Sequence, residues 1–429
     1  MYKTIIGAVA LTVLAACGQQ QQPTQAVEDA QQLRSGILVE NMDTKVRPGD
    51  DFFSYVNGKW VADTEIPADK SSYSVFSSLN DEAQERVKQI IEESASGDFA
   101  KGSDEQKVGD LYKSFMDWDT RNAKGVAPLQ PELDRIDAIA THDEVAVYFA
   151  SAVMRGLDAP FAIAQFADLK DPKHYGIYMF QSGLGLPDRE YYFNTDEKSK
   201  GLREQYVAHV QKMFELAGLD APAEAAEAIM ALETKLAEVN MKKEDTRDWA
   251  ANYNKVAIAD LPGIMPKFNW DGYIAEFKAP QVKEMIVIMT DYQKALDGII
   301  QDTDLDTWKT YLRWSALNAT ASRLNEALDE QNFEFYGKAL SGTEEQLPTW
   351  RRAVRAVNGN LGEVVGKVYV KRHFPPEAKE RMLELVGNLI RAYEVSIKDL
   401  EWMSDETRVQ ALDKLSKFTP KIGYPDVWR

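Results

Sequence analysis

Four histidines carry the imidazole chemistry open to this chain: His142, His174, His209 and His373. No two lie one helical turn apart and none is followed by Glu. No pair can therefore share a metal from one helix face with a carboxylate base beside it. His142, in Thr141-His142-Asp143-Glu144, reads as a cap or surface group at a helix start. His174 falls on a strand and His209 on a helix face opposite Val207 and Val210, neither with a ligand partner nearby in sequence. His373, ahead of Pro375-Pro376, reads as a helix-terminal imidazole against carbonyls. Glu244-Asp245-Thr246-Arg247-Asp248 holds carboxylates close enough for acid–base work, but an Arg-centred ion pair organising a turn explains them more simply. Asp50-Asp51 could suggest a metal; one of them capping the following helix is the better account. Trp350-Arg351-Arg352 with Arg355 is the basic cluster, suited to a peptide carboxylate or to an ion network between packed segments.

These groups sit on a chain that reads as mainly helical. From Phe335 to Lys379 the pattern is helix–turn–helix. Ser341-Gly342 breaks the preceding segment, and Thr343 with Gln346 three residues on forms a capping box. Trp350, Val354 and Val357 then recur at helical spacing until Asn358-Gly359 closes the helix. A second helix carries Leu361, Val364, Val365, Val368 and Tyr369, and ends at His373-Phe374-Pro375-Pro376. Further helices are expected over 79–95, with Leu79, Ala83, Val87, Ile90 and Ile91 on one face, and over 105–118, 143–155, 200–217, 222–241, 281–300, 305–329 and 377–400. Phe161–Phe166 and His174–Phe180 alternate at period two around Asp168–Lys173, which predicts one small β-hairpin.

Length and composition bound the rest. At 429 residues with 44% hydrophobic content, the chain can build more than one domain around large cores. A net charge of -18 with no compensating Lys/Arg block argues against nucleic acid. Lys3, the apolar run Ile5–Val13 and Leu14-Ala15-Ala16-Cys17 read as a bacterial lipoprotein signal with its lipobox. Cys17, the lone cysteine, is the expected lipid attachment site, holding the protein on a membrane. Gly18 follows it in place of an inner-membrane retention Asp, which favours the outer membrane of the cell envelope. The Gln-rich, aromatic-free stretch after it reads as a tether.

The 335–379 run resembles the neprilysin-like (M13) zinc metallopeptidases, and three further blocks are similar to that family in the same order. They are Asn41–Trp60, including Asp50-Asp51-Phe52-Phe53-Ser54-Tyr55-Val56-Asn57-Gly58-Lys59-Trp60, then Gln181–Tyr192, then Phe418–Arg429. The resemblance implies a mainly helical, two-domain fold around a cavity, here truncated before the zinc-binding core. On that basis 1–16 is a lipoprotein signal peptide, 17–35 a tether and 36–78 a segment leading into the body. Residues 79–330 are a helical lid, and 331–429 lead back toward the catalytic core. The family hydrolyses oligopeptides with a zinc ion and a Glu base on H-E-x-x-H; by the resemblance, zinc and its ligands are expected beyond Arg429, and this chain alone is expected to be inactive. Animal members carry cysteines where this chain has Gly49 and Asn57, so the fold is expected to need no disulfides. They also direct two arginines at the substrate's C-terminal side, where this chain has Ser72 and Asn80. Those two residues are the expected substrate-binding positions, and their neutrality predicts that peptide acids and amides are treated alike. The alternative is a truncated, non-catalytic lipoprotein whose helical body binds peptides or a partner.

Overall fold

The computed structural model describes residues 36–428. The signal peptide, Cys17, the tether and Arg429 lie outside the described residues. The described residues divide into two compact units, 36–65 and 66–428. In the first, the helix Phe52–Asp63 begins because Asp51 caps it, accepting from Ser54 N at 2.9 Å. Asp50 is held by Arg47 Nε at 2.8 Å, so both acidic side chains have structural work. Phe52 and Phe53, which follow the cap, are exposed.

The second unit is mainly helical and holds two separate cores. In the smaller one, the helices Val75–Ser96 and Asp104–Met116 pack on Thr349–His373 through Ile90, Ile91, Val108, Val354 and Val357. Gly109 permits the approach, because a Cβ there would stand 2.4 Å from the Ser94 carbonyl oxygen. The larger core gathers the helices Glu197–Ala217, Pro222–Val239, Thr290–Asp302 and Leu305–Thr320 around buried Phe149, Phe161, Tyr206, Trp308 and Trp314.

The expected hairpin is present as β1 (Phe161–Ala167) and β2 (Tyr175–Gln181), antiparallel with Phe161 opposite Gln181. It belongs to a four-stranded sheet with β3 (Asn254–Ala257) and β4 (Glu284–Val287), in the order β1-β2-β4-β3. β4 runs parallel to β2 and antiparallel to β3. The stretch expected to be one helix over 281–300 is thus a buried strand followed by a helix from Thr290, since an apolar run of four to eight residues fits either state.

Other boundaries differ from the sequence reading. The helix expected over 305–329 ends at Thr320, and after a 3-10 turn at Ala321–Arg323 a separate helix, Glu326–Phe333, starts with Asn325 as its cap. The helix expected from Thr343 starts at Thr349, with Pro348 at its N-cap. Proline disfavours helical geometry in the residue before it, which keeps Leu347 out of the helix. The closure expected at Asn358-Gly359 is a kink at Leu361 (φ −129°, ψ 25°), within a helix that runs on to His373. Asn358-Gly359 does not turn the chain, and no positive φ occurs there.

The Gln181–Tyr192 loop leaves β2 and is fastened from several sides. Tyr311 Oη donates to Gly183 O at 2.7 Å, and Gln181 Oε1 accepts from Met241 N at 2.7 Å. Tyr192 Oη and Tyr206 Oη both donate to the buried carboxylate of Glu233, at 2.6 and 2.9 Å. Gly185 fits there only without a side chain, for a Cβ would lie 1.8 Å from Tyr206 Oη. Burial pushes the Glu233 carboxyl up to about 7, the two tyrosine hydroxyls opposing it.

Candidate substrate pocket

Ser72 and Asn80, far apart in neither sequence nor space, open onto one cavity of about 490 Å³ inside the second unit. Ser74 builds this wall: its hydroxyl and that of Ser77 exchange bonds with each other's backbone N–H, a capping box that starts the Val75–Ser96 helix. Asn80, Asp81 and Gln84 follow along the helix and also line the cavity. Leu79, expected on the packed face, is exposed instead, and the buried stripe begins further along at Ile90 and Ile91.

The opposite wall is the first turns of Thr349–His373, which bring in Arg351, Arg352 and Arg355. Asp81 joins the walls. It accepts from Arg351 Nη1 at 2.7 Å and from Lys70 Nζ at 2.9 Å. Burial raises the Asp81 carboxyl, but Lys70 and Arg351 outweigh it and hold the group below its usual range. Arg352 pairs with Asp329, a carboxylate that is 2% exposed and also takes a bond from Gln346 Nε2 at 3.3 Å. The loop before the helix is fixed by two backbone bonds, from Glu344 N and Glu345 N to Ala68 O at 3.1 and 3.0 Å. Two buried polar atoms on the lining residues have no partner: Gln84 Oε1 and Arg352 Nε.

The basic cluster therefore divides. Arg351 and Arg352 are the ion network between packed segments, whereas Arg355 is exposed and, among the described residues, forms no ion pair. The sequence alone singled out Ser72, Asn80 and the arginines, but not Lys70, Gln84 or Asp329. The signal available was that half-buried arginines demand carboxylate partners.

The histidines are scattered through other roles. His142 Nε2 lies 2.8 Å from Thr303 O. His174 Nδ1 meets Asp171 at 2.7 Å on the exposed hairpin turn, and His373 stands against the Tyr369 ring. His209, expected on the surface side of its helix, is buried in the larger core and stacked on Phe335. Burial drives its pKa down to about 3. The 244–248 carboxylates stand in a short 3-10 turn secured by Asp248 accepting from Ala251 N and by Asn252 Nδ2 donating to Asp245 O. No Arg247 ion pair is present among the described residues. No group of three His, Cys, Asp or Glu side chains among the described residues is arranged to hold a metal ion such as zinc.

The model of peptidase family M13 matches residues 48–425. Endothelin-converting enzyme 1 of Mus musculus is 27% identical over 440 residues, covering 99% of this chain and 57% of the relative. Among solved structures, the zinc metalloprotease ZMP1 of Mycobacterium tuberculosis, in complex with inhibitor, has a TM-score of 0.87 at 37% identity, covering 92% of this chain and 60% of that one. PEPO from Lactobacillus rhamnosis shares the fold at 22% identity and a TM-score of 0.77, covering 90% and 61%. The helical body with its small sheet is thus that of a metallopeptidase, and the chain belongs to peptidase family M13, matching the family's N-terminal region. It spans 57% of the length of the mouse relative and 60% of ZMP1.

Proposed function

We propose that this chain supplies the metal-free helical part of a zinc metalloendopeptidase that hydrolyses oligopeptides, with the cavity at Ser72 and Asn80 receiving the substrate. The zinc ligands and the general base would come from sequence following Arg429. The chain alone would then be inactive. Cys17 would carry the lipid that holds the enzyme on the envelope membrane, facing the periplasm or exterior.

One observation carries this reading. The helices Pro376–Asp399 and Asp405–Ser416 contain no buried residue, although the first is strongly amphipathic by pattern. Leu385, Leu389, Tyr393, Val395 and Val409 all stand more than half exposed. Leu385, Leu389 and Tyr393 follow one another at i, i+4 and i+8 on one helix face, and an exposed apolar stripe of this kind marks a surface for another body. The relatives are longer, this chain spanning 57% of the mouse enzyme and 60% of ZMP1, which supports the reading. Sequencing the gene through the codon for Arg429 tests the proposal. An open frame reaching H-E-x-x-H is expected, and a stop codon there overturns it.

A stop codon would select the second reading, a non-catalytic lipoprotein that binds peptides. One feature favours that alternative: every residue lining the Ser72/Asn80 cavity belongs to this chain's second unit.

A further inference from the structure

We propose that Arg355 is the carboxylate-recognising group of the Ser72/Asn80 cavity, and that the ligand is a peptide presenting a single free carboxylate there. This inference rests on the substrate-pocket reading above. Four cationic side chains line the cavity: Lys70, Arg351, Arg352 and Arg355. Lys70 and Arg351 are committed to Asp81, and Arg352 to Asp329. Arg355 alone of the four has no carboxylate among the described residues. It stands four residues after Arg351, on the same helix face, so its guanidinium is delivered to the cavity beside a neighbour already pinned in place.

The lining also limits what Arg355 can accept. Asp69, Asp81 and Glu345 face the same space, and Asp329 neutralises Arg352, so four carboxylates stand against four cations. Glu345 is exposed and has no cation partner among the described residues. With no surplus charge in the cavity, a dianion such as a phosphate monoester would meet the repulsion of Asp69 and Glu345, whereas a carboxylate needs only the one unpaired guanidinium and suits its planar fork. The neutral side chains at 72 and 80 thus leave the charge to a different helix. The expectation that acids and amides are treated alike holds only if no other cation reaches the pocket, and Arg355 reaches it.

The test uses the 429-residue chain itself and measures binding. N-acetyl-trialanine is titrated as the free acid and as the C-terminal amide, by calorimetry and by NMR of 15N-labelled arginine side chains. A second pair, amidated N-acetyl-Ala-Glu-Ala and its Gln counterpart, asks whether a side chain can provide the carboxylate. A charge-assisted bond is roughly twice as strong as a neutral one, so the acid is expected to bind about tenfold more tightly than the amide. Arg355→Gln should remove that difference while leaving amide binding unchanged, and Arg355→Lys should keep part of it. A gain for the terminal acid alone identifies the chain end as the ligand; a gain for Glu over Gln identifies the side chain. Equal binding of acid and amide, an acid preference that survives Arg355→Gln, or no binding at millimolar peptide each overturns the proposal. No readout involves cleavage, so its failure leaves the peptidase reading standing, and a stop codon after Arg429 leaves this one standing.

Discussion

Replacing Glu233 with Gln should change how stability depends on pH, and the size of the change follows from the site. Glu233 is 1% exposed, and burial lifts its carboxyl from 4.5 to about 7 against the pull of Tyr192 and Tyr206. The folded state therefore holds this proton more tightly than the unfolded chain does. Its contribution to stability is complete below about pH 4.5 and is lost as pH rises through about 7. At 1.36 kcal/mol per unit, the loss amounts to about 3 kcal/mol. His209 works the other way. Its folded pKa of about 3 lies below the ordinary 6.5, so stability falls as pH drops below 6.5 and the unfolded imidazole takes up a proton. Between about pH 4.5 and 6.5 the two slopes oppose each other, and the wild-type profile hides both. Urea unfolding of wild type and Glu233→Gln at matched pH values separates them. The stability difference, wild type minus variant, should fall by about 3 kcal/mol between pH 4.5 and pH 8. A difference that does not vary with pH refutes the reasoning, because it would mean that Glu233 stays ionised throughout.

Further outcomes follow from the pocket and the leader. Arg352→Ala leaves the buried Asp329 carboxylate without its cation and should cost ~3–5 kcal/mol in urea unfolding. Arg351→Ala leaves Lys70 on Asp81 and should cost only about 1 kcal/mol by the same measurement. Ser72→Arg should alter the acid-over-amide binding ratio little in the wild type, yet restore it in Arg355→Gln, as read by calorimetry. Cys17→Ser should release the protein from the membrane fraction or leave it unprocessed; a variant of mature size that still sediments with membranes contradicts the lipid anchor.

Local chemistry was legible in the sequence wherever a side chain acts on its own backbone. Asp51 caps the helix it precedes, Pro222 opens its helix at the first turn, and Pro375-Pro376 ends one helix and begins another. Helical periodicity found Val354 and Val357 correctly, because the 3.6 period registers burial whatever covers the face. Period and capping gave no access to partners distant in sequence. Asp81 and Arg351 lie 270 residues apart, and nothing local shows that they meet. The same holds for β4, whose Met285-Ile286-Val287 run carries no alternation because side chains on both faces of the strand are buried. Leu79 deceived for the opposite reason: its spacing matches the buried stripe, but it lies beyond the reach of the helices that cover Ile90 and Ile91. For the site, residue type located Ser72, Asn80 and the arginines. Only the fold showed that two of the three guanidinium groups are already taken.

Zinc content and peptide hydrolysis, measured side by side on the 429-residue chain and on the full product of its gene, test the central claim most directly. After dialysis the chain should hold no stoichiometric zinc and cleave no quenched-fluorescence peptide. The full product should hold about one zinc and lose its cleavage to a chelator, as a single four-ligand catalytic site requires. Zinc near one equivalent on the 429-residue chain, with chelator-sensitive cleavage, would contradict the account.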